Sequence, residues 1–152
     1  MKTNDEGQAV VEIVLVMPLL FILFLGAVEL GRVLYAGIEV TNAAQAGAAY
    51  GAQNHALAAD STGIKTAAVN DGANLYRFDA NWTSGSEVTP STICGTSYSD
   101  QQPLASTCTT AGAGLIEYVQ VQTQITMKSL FGIYGFPASY TLHGSAIMRV
   151  EE

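Results

Sequence analysis

The sequence predicts an α+β chain in which one long N-terminal helix crosses a membrane and then packs against a small antiparallel β-sheet. Three observations predict it. An apolar run lies near the N-terminus, a helical pattern continues past that run without a break, and two stretches near the C-terminus alternate strictly between apolar and polar residues.

From Ile13 to Val28 sixteen consecutive residues carry no charge, and from Ala9 to Val28 Glu12 is the only charged residue among twenty. At about 1.5 Å per residue, twenty residues cross the ~30 Å hydrocarbon core of a bilayer. Pro18 removes one backbone hydrogen bond inside the run and predicts a kink about one turn earlier. A cleaved secretory signal needs a basic n-region and small residues at its cleavage site. Here Lys2 is offset by Asp5 and Glu6, and Leu34 stands where a site ending at Ala36 wants a small residue. The run therefore reads as a retained anchor.

Beyond Val28 the pattern changes character without stopping. Glu29, Arg32 and Glu39 appear on a background of Leu30, Val33, Leu34, Ile38 and Val40, and no proline interrupts before Gln53. One helix is expected over 8–52, roughly 65 Å long, with about 9–28 in the membrane and a small α+β domain over 53–152. In its last part Ala43, Gly47 and Gly51 recur every four residues, as do Ala44 and Ala48. Small residues at that spacing admit close approach, either of the chain's own domain or of a helix from another subunit.

Ser61 or Thr62 is placed to cap a shorter helix running to about Tyr76, with Ile64, Ala68 and Leu75 on one side. From Phe78 to Gly114 the periodicity dissolves, and only Val88 and Ile93 hint at a short strand. In Val119, Val121, Thr123, Ile125 and Met127 alternate positions face one way, against Gln120, Gln122, Gln124 and Thr126. Tyr140 to Val150 repeats the alternation, and the glycines and proline between the two stretches predict a hairpin. Its apolar face has the Ala-rich half of the long helix to cover. The connection carries Leu130, Phe131, Ile133, Tyr134 and Phe136, an apolar patch that serves either as a contact surface or as a lid on the core.

The formal charge of −7 and six scattered Lys and Arg residues exclude a nucleic-acid surface, which needs clustered cations to displace counterions. Cys94 and Cys108 bracket thirteen residues rich in Ser, Thr, Gln and Pro. This is a loop composition, and it predicts a disulfide in an oxidising compartment, the alternative being two free thiols in a reducing one. His55 and His143 lie near no cysteine or carboxylate at metal-ligand spacing, and Asp60, Asp71 and Asp79 fall in cap and turn contexts. No nucleophile motif, phosphate loop or paired-acid arrangement occurs. The reading has no catalytic residue, no metal, no cofactor and no small-molecule substrate. Glu12 stands apart, because a carboxylate among Val10, Val11, Ile13 and Val14 at the start of a membrane helix costs up to about 3 kcal/mol at the bilayer centre. A residue placed at that cost calls for a partner.

Gly7-Gln8-Ala9-Val10-Val11-Glu12 followed by the apolar run resembles the processing site of a type IV-like prepilin. More narrowly, that segment with Met17-Pro18-Leu19-Leu20, Gly26, Glu29-Leu30-Gly31-Arg32 and the Ala-rich Asn42 to Tyr50 is similar to the TadE-like proteins, minor pilins of tight-adherence pilus systems. The ending Ala146 to Glu151 also fits. The resemblance is dense over 7–50 and resumes over about 118–151.

It implies a leader over 1–7 cut between Gly7 and Gln8 by a prepilin peptidase. It also implies a Glu12 carboxylate that sets register with other pilin subunits through the N-terminal helix. Finally, it implies an inner-membrane protein with a periplasmic C-terminal domain, carried to the cell surface on assembly. Such leaders commonly carry Lys or Arg before the glycine, where this chain has Asp5 and Glu6. The orientation therefore rests on the resemblance and the cysteine pair. The rival reading is a single-pass surface adhesin or binding domain that is never processed or polymerised, and the mass of the mature chain separates the two.

Overall fold

The apolar run and its continuation form one helix. A computed structural model describes residues 5–95, 102–103, 116–131 and 137–151 of the 152. Helix α1 spans Asp5–Gly51 and passes through Pro18 without ending. It contains Gly7 and Gln8, so it starts ahead of the expected residue 8. Val10 to Phe24 are exposed throughout, and the most apolar window of the helix has a mean hydropathy of 2.7 with none of its residues buried. By length and composition this part of α1 is a candidate membrane anchor.

After α1 come a short helix α2 (His55–Ala58), helix α3 (Ser61–Asp71) and two single 3-10 turns, Ala73–Arg77 and Ala80–Ser84. The cap of α3 is Asp60, whose Oδ1 accepts the Gly63 N–H at 2.9 Å, where Ser61 or Thr62 was expected. A carboxylate one residue earlier fills that role and favours the helix dipole. The helix also stops at Asp71, short of Tyr76. A Cβ at Gly72 would lie 2.7 Å from the Trp82 ring, so the chain turns there beneath a fully buried tryptophan. Ile64, Ala68 and Leu75 are buried as predicted.

The sheet is antiparallel, with three long strands, β1 (Val88–Gly95), β3 (Ile116–Lys128) and β4 (Ser139–Arg149). The two-residue strand β2 (Gln102–Pro103) pairs outside β1, giving the order β2-β1-β3-β4. The hairpin is β3–β4, with Thr123 opposite Gly144 and Lys128 opposite Ser139. Val119, Val121, Thr123, Ile125 and Met127 are buried, and Gln122, Gln124 and Thr126 are exposed, as the alternation required. β1 is a full eight-residue strand where the sequence hinted at only a short one. Pro90 breaks its pattern, yet it pairs with Val121 at a position with no described strand on its outer side, where a missing N–H costs nothing.

The inner face of the sheet covers the second half of α1. Ala36, Val40, Ala43, Ala44 and Ala48 are fully buried there. A Cβ at Gly47 would lie 3.2 Å from the Ala68 side chain, and one at Gly51 3.0 Å from both Ile64 and Val119. These small residues thus receive the chain's own α3 and β3, the intramolecular contact that was one reading of the stripe. Gly144 is tighter still. A Cβ on it would sit 2.5 Å from the Val40 carbonyl oxygen, the same oxygen that accepts the Thr123 hydroxyl at 2.8 Å. At the far end of α1 the Ala52 carbonyl accepts the Glu151 N–H at 2.8 Å.

Cys94 is buried at the end of β1. Cys108 lies outside the described residues, and so does the expected bridge to it. Ile133, Tyr134 and Phe136 of the apolar connection lie outside them too, while Leu130 is exposed.

Candidate functional site

The residues that the resemblance singles out lie on α1. Gly7 and Glu12 both lie on its exposed first turns. Glu12 shares a helix face with Ala9, Ile13 and Val16, one turn after Gln8. Among the described residues no group of three His, Cys, Asp or Glu could hold a metal ion.

Beyond Val28 the helix has two faces. One, with Ala36, Val40, Ala43 and Ala44, lies under the sheet. The other carries Leu30, Leu34 and Ile38, each about 60 % exposed and spaced four residues apart. Such a stripe on one helix face is apolar surface without a cover among the described residues. Because it follows a run already long enough to cross a bilayer, lipid tails are not the natural cover for all of it.

The junction between the two halves of α1 holds an acid to which the sequence assigned no role. Glu29 is only 4 % exposed. Its Oε2 accepts Arg32 Nη1–H at 3.2 Å, and both carboxylate oxygens lie 3.3–3.4 Å from the Leu130 N–H just beyond β3. The buried carboxylate is thus matched by a guanidinium and a backbone donor, as a buried charge requires. Arg32 also lies over the Phe78 ring, 5.6 Å from its centroid. The sequence signal was available: an acid immediately after an uncharged run, with an arginine three residues on.

The histidines behave differently from one another. His55 Nδ1 pairs with the Glu117 carboxylate, tying α2 to β3 across the fold. That contact lies 62 residues apart in sequence and is invisible to spacing arguments. His143 is exposed on the outer face of β4. Asp60 and Asp79 act as caps, and Asp79 Oδ2 additionally accepts the Thr126 N–H of β3.

No curated protein and no solved structure matches the chain. A protein-family model does. Residues 7–49 match the family described as TadE-like protein, a stretch that takes in Gly7, Glu12, Glu29 and the exposed Leu30–Leu34–Ile38 face, and the N-terminal helix of this chain is accordingly TadE-like.

Proposed function

We propose that the chain is a non-catalytic minor pilin of a tight-adherence, type IV-like pilus, held in the inner membrane by α1 until it assembles. The observation that carries this reading is the uncovered apolar stripe Leu30, Leu34 and Ile38, lying within the TadE-like segment. A helix that stays apolar on its free face beyond the bilayer is suited to a second helix of the same kind.

In this reading a prepilin peptidase cuts after Gly7, and the new amine of Gln8 becomes the N-terminus. The Glu12 carboxylate then pairs with such an amine on a neighbouring subunit. Each charge alone is costly in an apolar bundle, and pairing offsets the cost only in one axial register. The carboxylate therefore selects stagger as well as partner. The C-terminal domain lies in the periplasm, where Cys94 and Cys108 form a disulfide.

Glu12→Ala is expected to leave membrane insertion intact and to abolish incorporation into pili. Normal assembly of that variant sinks the register role. The mass of the protein isolated from membranes tests processing: loss of Met1 to Gly7 supports the pilin reading. A full-length chain, which Asp5 and Glu6 ahead of the junction would favour, supports an unprocessed surface adhesin.

A further inference from the structure

Three of the chain's six basic residues converge on one cleft. Arg32, Arg77 and Lys128 line it together with Phe78, Asp79, Asn81, Thr126, Ser129 and Leu130, around a volume of about 560 Å³. That size lies within the range of small-molecule sites. In a chain of net charge −7 such a convergence runs against the overall composition. Arg32 is held by Glu29, but neither Arg77 nor Lys128 has an ion pair with a described residue. Asp79, the one acid among the described lining residues, accepts the Asn81 and Thr126 N–H groups with its two oxygens. Two cations with no acidic partner among the described residues therefore line the same space.

The cleft also has a fixed height on α1. Arg32 comes four residues after Val28, the last residue of the uncharged run, which places it about 6 Å beyond that run. Leu130 on the cleft wall bonds to Glu29, one residue past Val28. Headgroups occupy the ~5–7 Å on either side of the hydrocarbon core, so the cleft opens at their level. Tyr35 and Tyr76 are half-exposed on the same side, beside Phe78 and Arg77 respectively.

We propose that this cleft binds the phosphate of an anionic phospholipid headgroup at the surface where α1 leaves the membrane. Arg77 and Lys128 supply the charge not held by a described acid, and Arg32, fixed by Glu29 and lying over the Phe78 ring, supplies a pre-oriented guanidinium. The bound lipid would hold the domain down against the membrane before assembly. The inference rests on the membrane placement of α1 and is independent of processing at Gly7.

The test uses the full chain reconstituted in vesicles of phosphatidylcholine alone or mixed equally with phosphatidylglycerol. Lipids that stay with the protein after mild extraction are then identified by mass. The parent protein is expected to retain phosphatidylglycerol selectively. Each basic residue against an anionic surface strengthens binding about fivefold, so Arg77→Gln with Lys128→Gln should weaken retention about 25-fold. Lys65→Gln with Arg149→Gln, which removes two charges outside the cleft, should leave retention unchanged.

Equal loss in both double variants, or no preference in the parent, overturns the proposal. Release of the lipid by inorganic phosphate at low millimolar concentration assigns the site to free phosphate and overturns the lipid assignment. A chain that floats with neither vesicle overturns the membrane placement and this proposal with it. One that floats equally with both and retains no phosphatidylglycerol overturns this proposal alone.

Discussion

Tyr50 shows how much a single side chain settles in this fold. Its hydroxyl donates to Asp60 Oδ2 at 3.2 Å while the other carboxylate oxygen caps α3, so one aspartate joins the end of α1 to the start of α3. Burial and then the Asp60 carboxylate raise the phenol above its usual value of 10.0. A raised folded-state value means that the hydroxyl's contribution is complete below pH 10 and is lost as pH rises through the higher folded value. Denaturant unfolding should therefore show stability falling above pH 10 in the parent, with a shallower fall in Tyr50→Phe. Identical slopes in the two would remove this account. Gly144 makes the steric counterpart. A Cβ there meets the Val40 carbonyl oxygen at 2.5 Å and Thr123 Oγ1 at 2.6 Å, one a backbone atom and the other already bonded to it. Gly144→Ala should cost about 2 kcal/mol in equilibrium unfolding, the scale of overpacking a closed core.

At the level of elements, what the sequence revealed and what it concealed divide by range. α1 was legible because composition alone marks it, and β3 and β4 because Val119 to Met127 alternates with almost no exception. β1 was nearly invisible. Its buried positions are Val88, Ile93, Cys94 and Gly95, interrupted by Thr89, Pro90, Ser91 and Thr92, and only its pairing with β3 makes it a strand. The break between α3 and the turn at Ala73 was concealed for a similar reason, since it depends on Trp82 closing over Gly72 from elsewhere in the chain. The site divides in the same way. Gly7 and Glu12 are local motifs, and Glu29 with Arg32 is local too, whereas the Leu130 donor to Glu29 lies 101 residues away and is visible only in the fold. The free face of α1 carries its own prediction. Leu34→Lys with Ile38→Lys replaces two exposed side chains and should leave the melting temperature of the isolated protein within a few degrees. Incorporation into filaments, scored by electron microscopy and by shearing of cells, should be lost. Wild-type assembly by this variant would detach the stripe from the proposed function.

Across the whole molecule, a small sheet and two short helices are stabilised largely by one side of one long helix. The segment between β1 and β3 is rich in Ser and Thr and poor in large apolar residues, and the proposed Cys94–Cys108 bridge is placed there. Closing a loop of this size stabilises by roughly 3 kcal/mol in the chain-entropy picture. Cys94→Ser together with Cys108→Ser is thus expected to lower the unfolding free energy by about that amount, and thiol labelling of the denatured, unreduced parent should find no reactive cysteine. Full labelling of the parent would remove the bridge. The grip of the domain on α1 has a further consequence. Among its polar ties, Glu29 with Leu130, Val40 with Thr123, and Ala52 with Glu151 are spread along the helix at intervals of about 17 Å. A pull along the axis of α1, as on a tethered filament under tension, loads these ties together in shear. The domain should therefore ride on a stretched helix as a rigid sleeve, yielding abruptly at high force instead of peeling away one contact at a time.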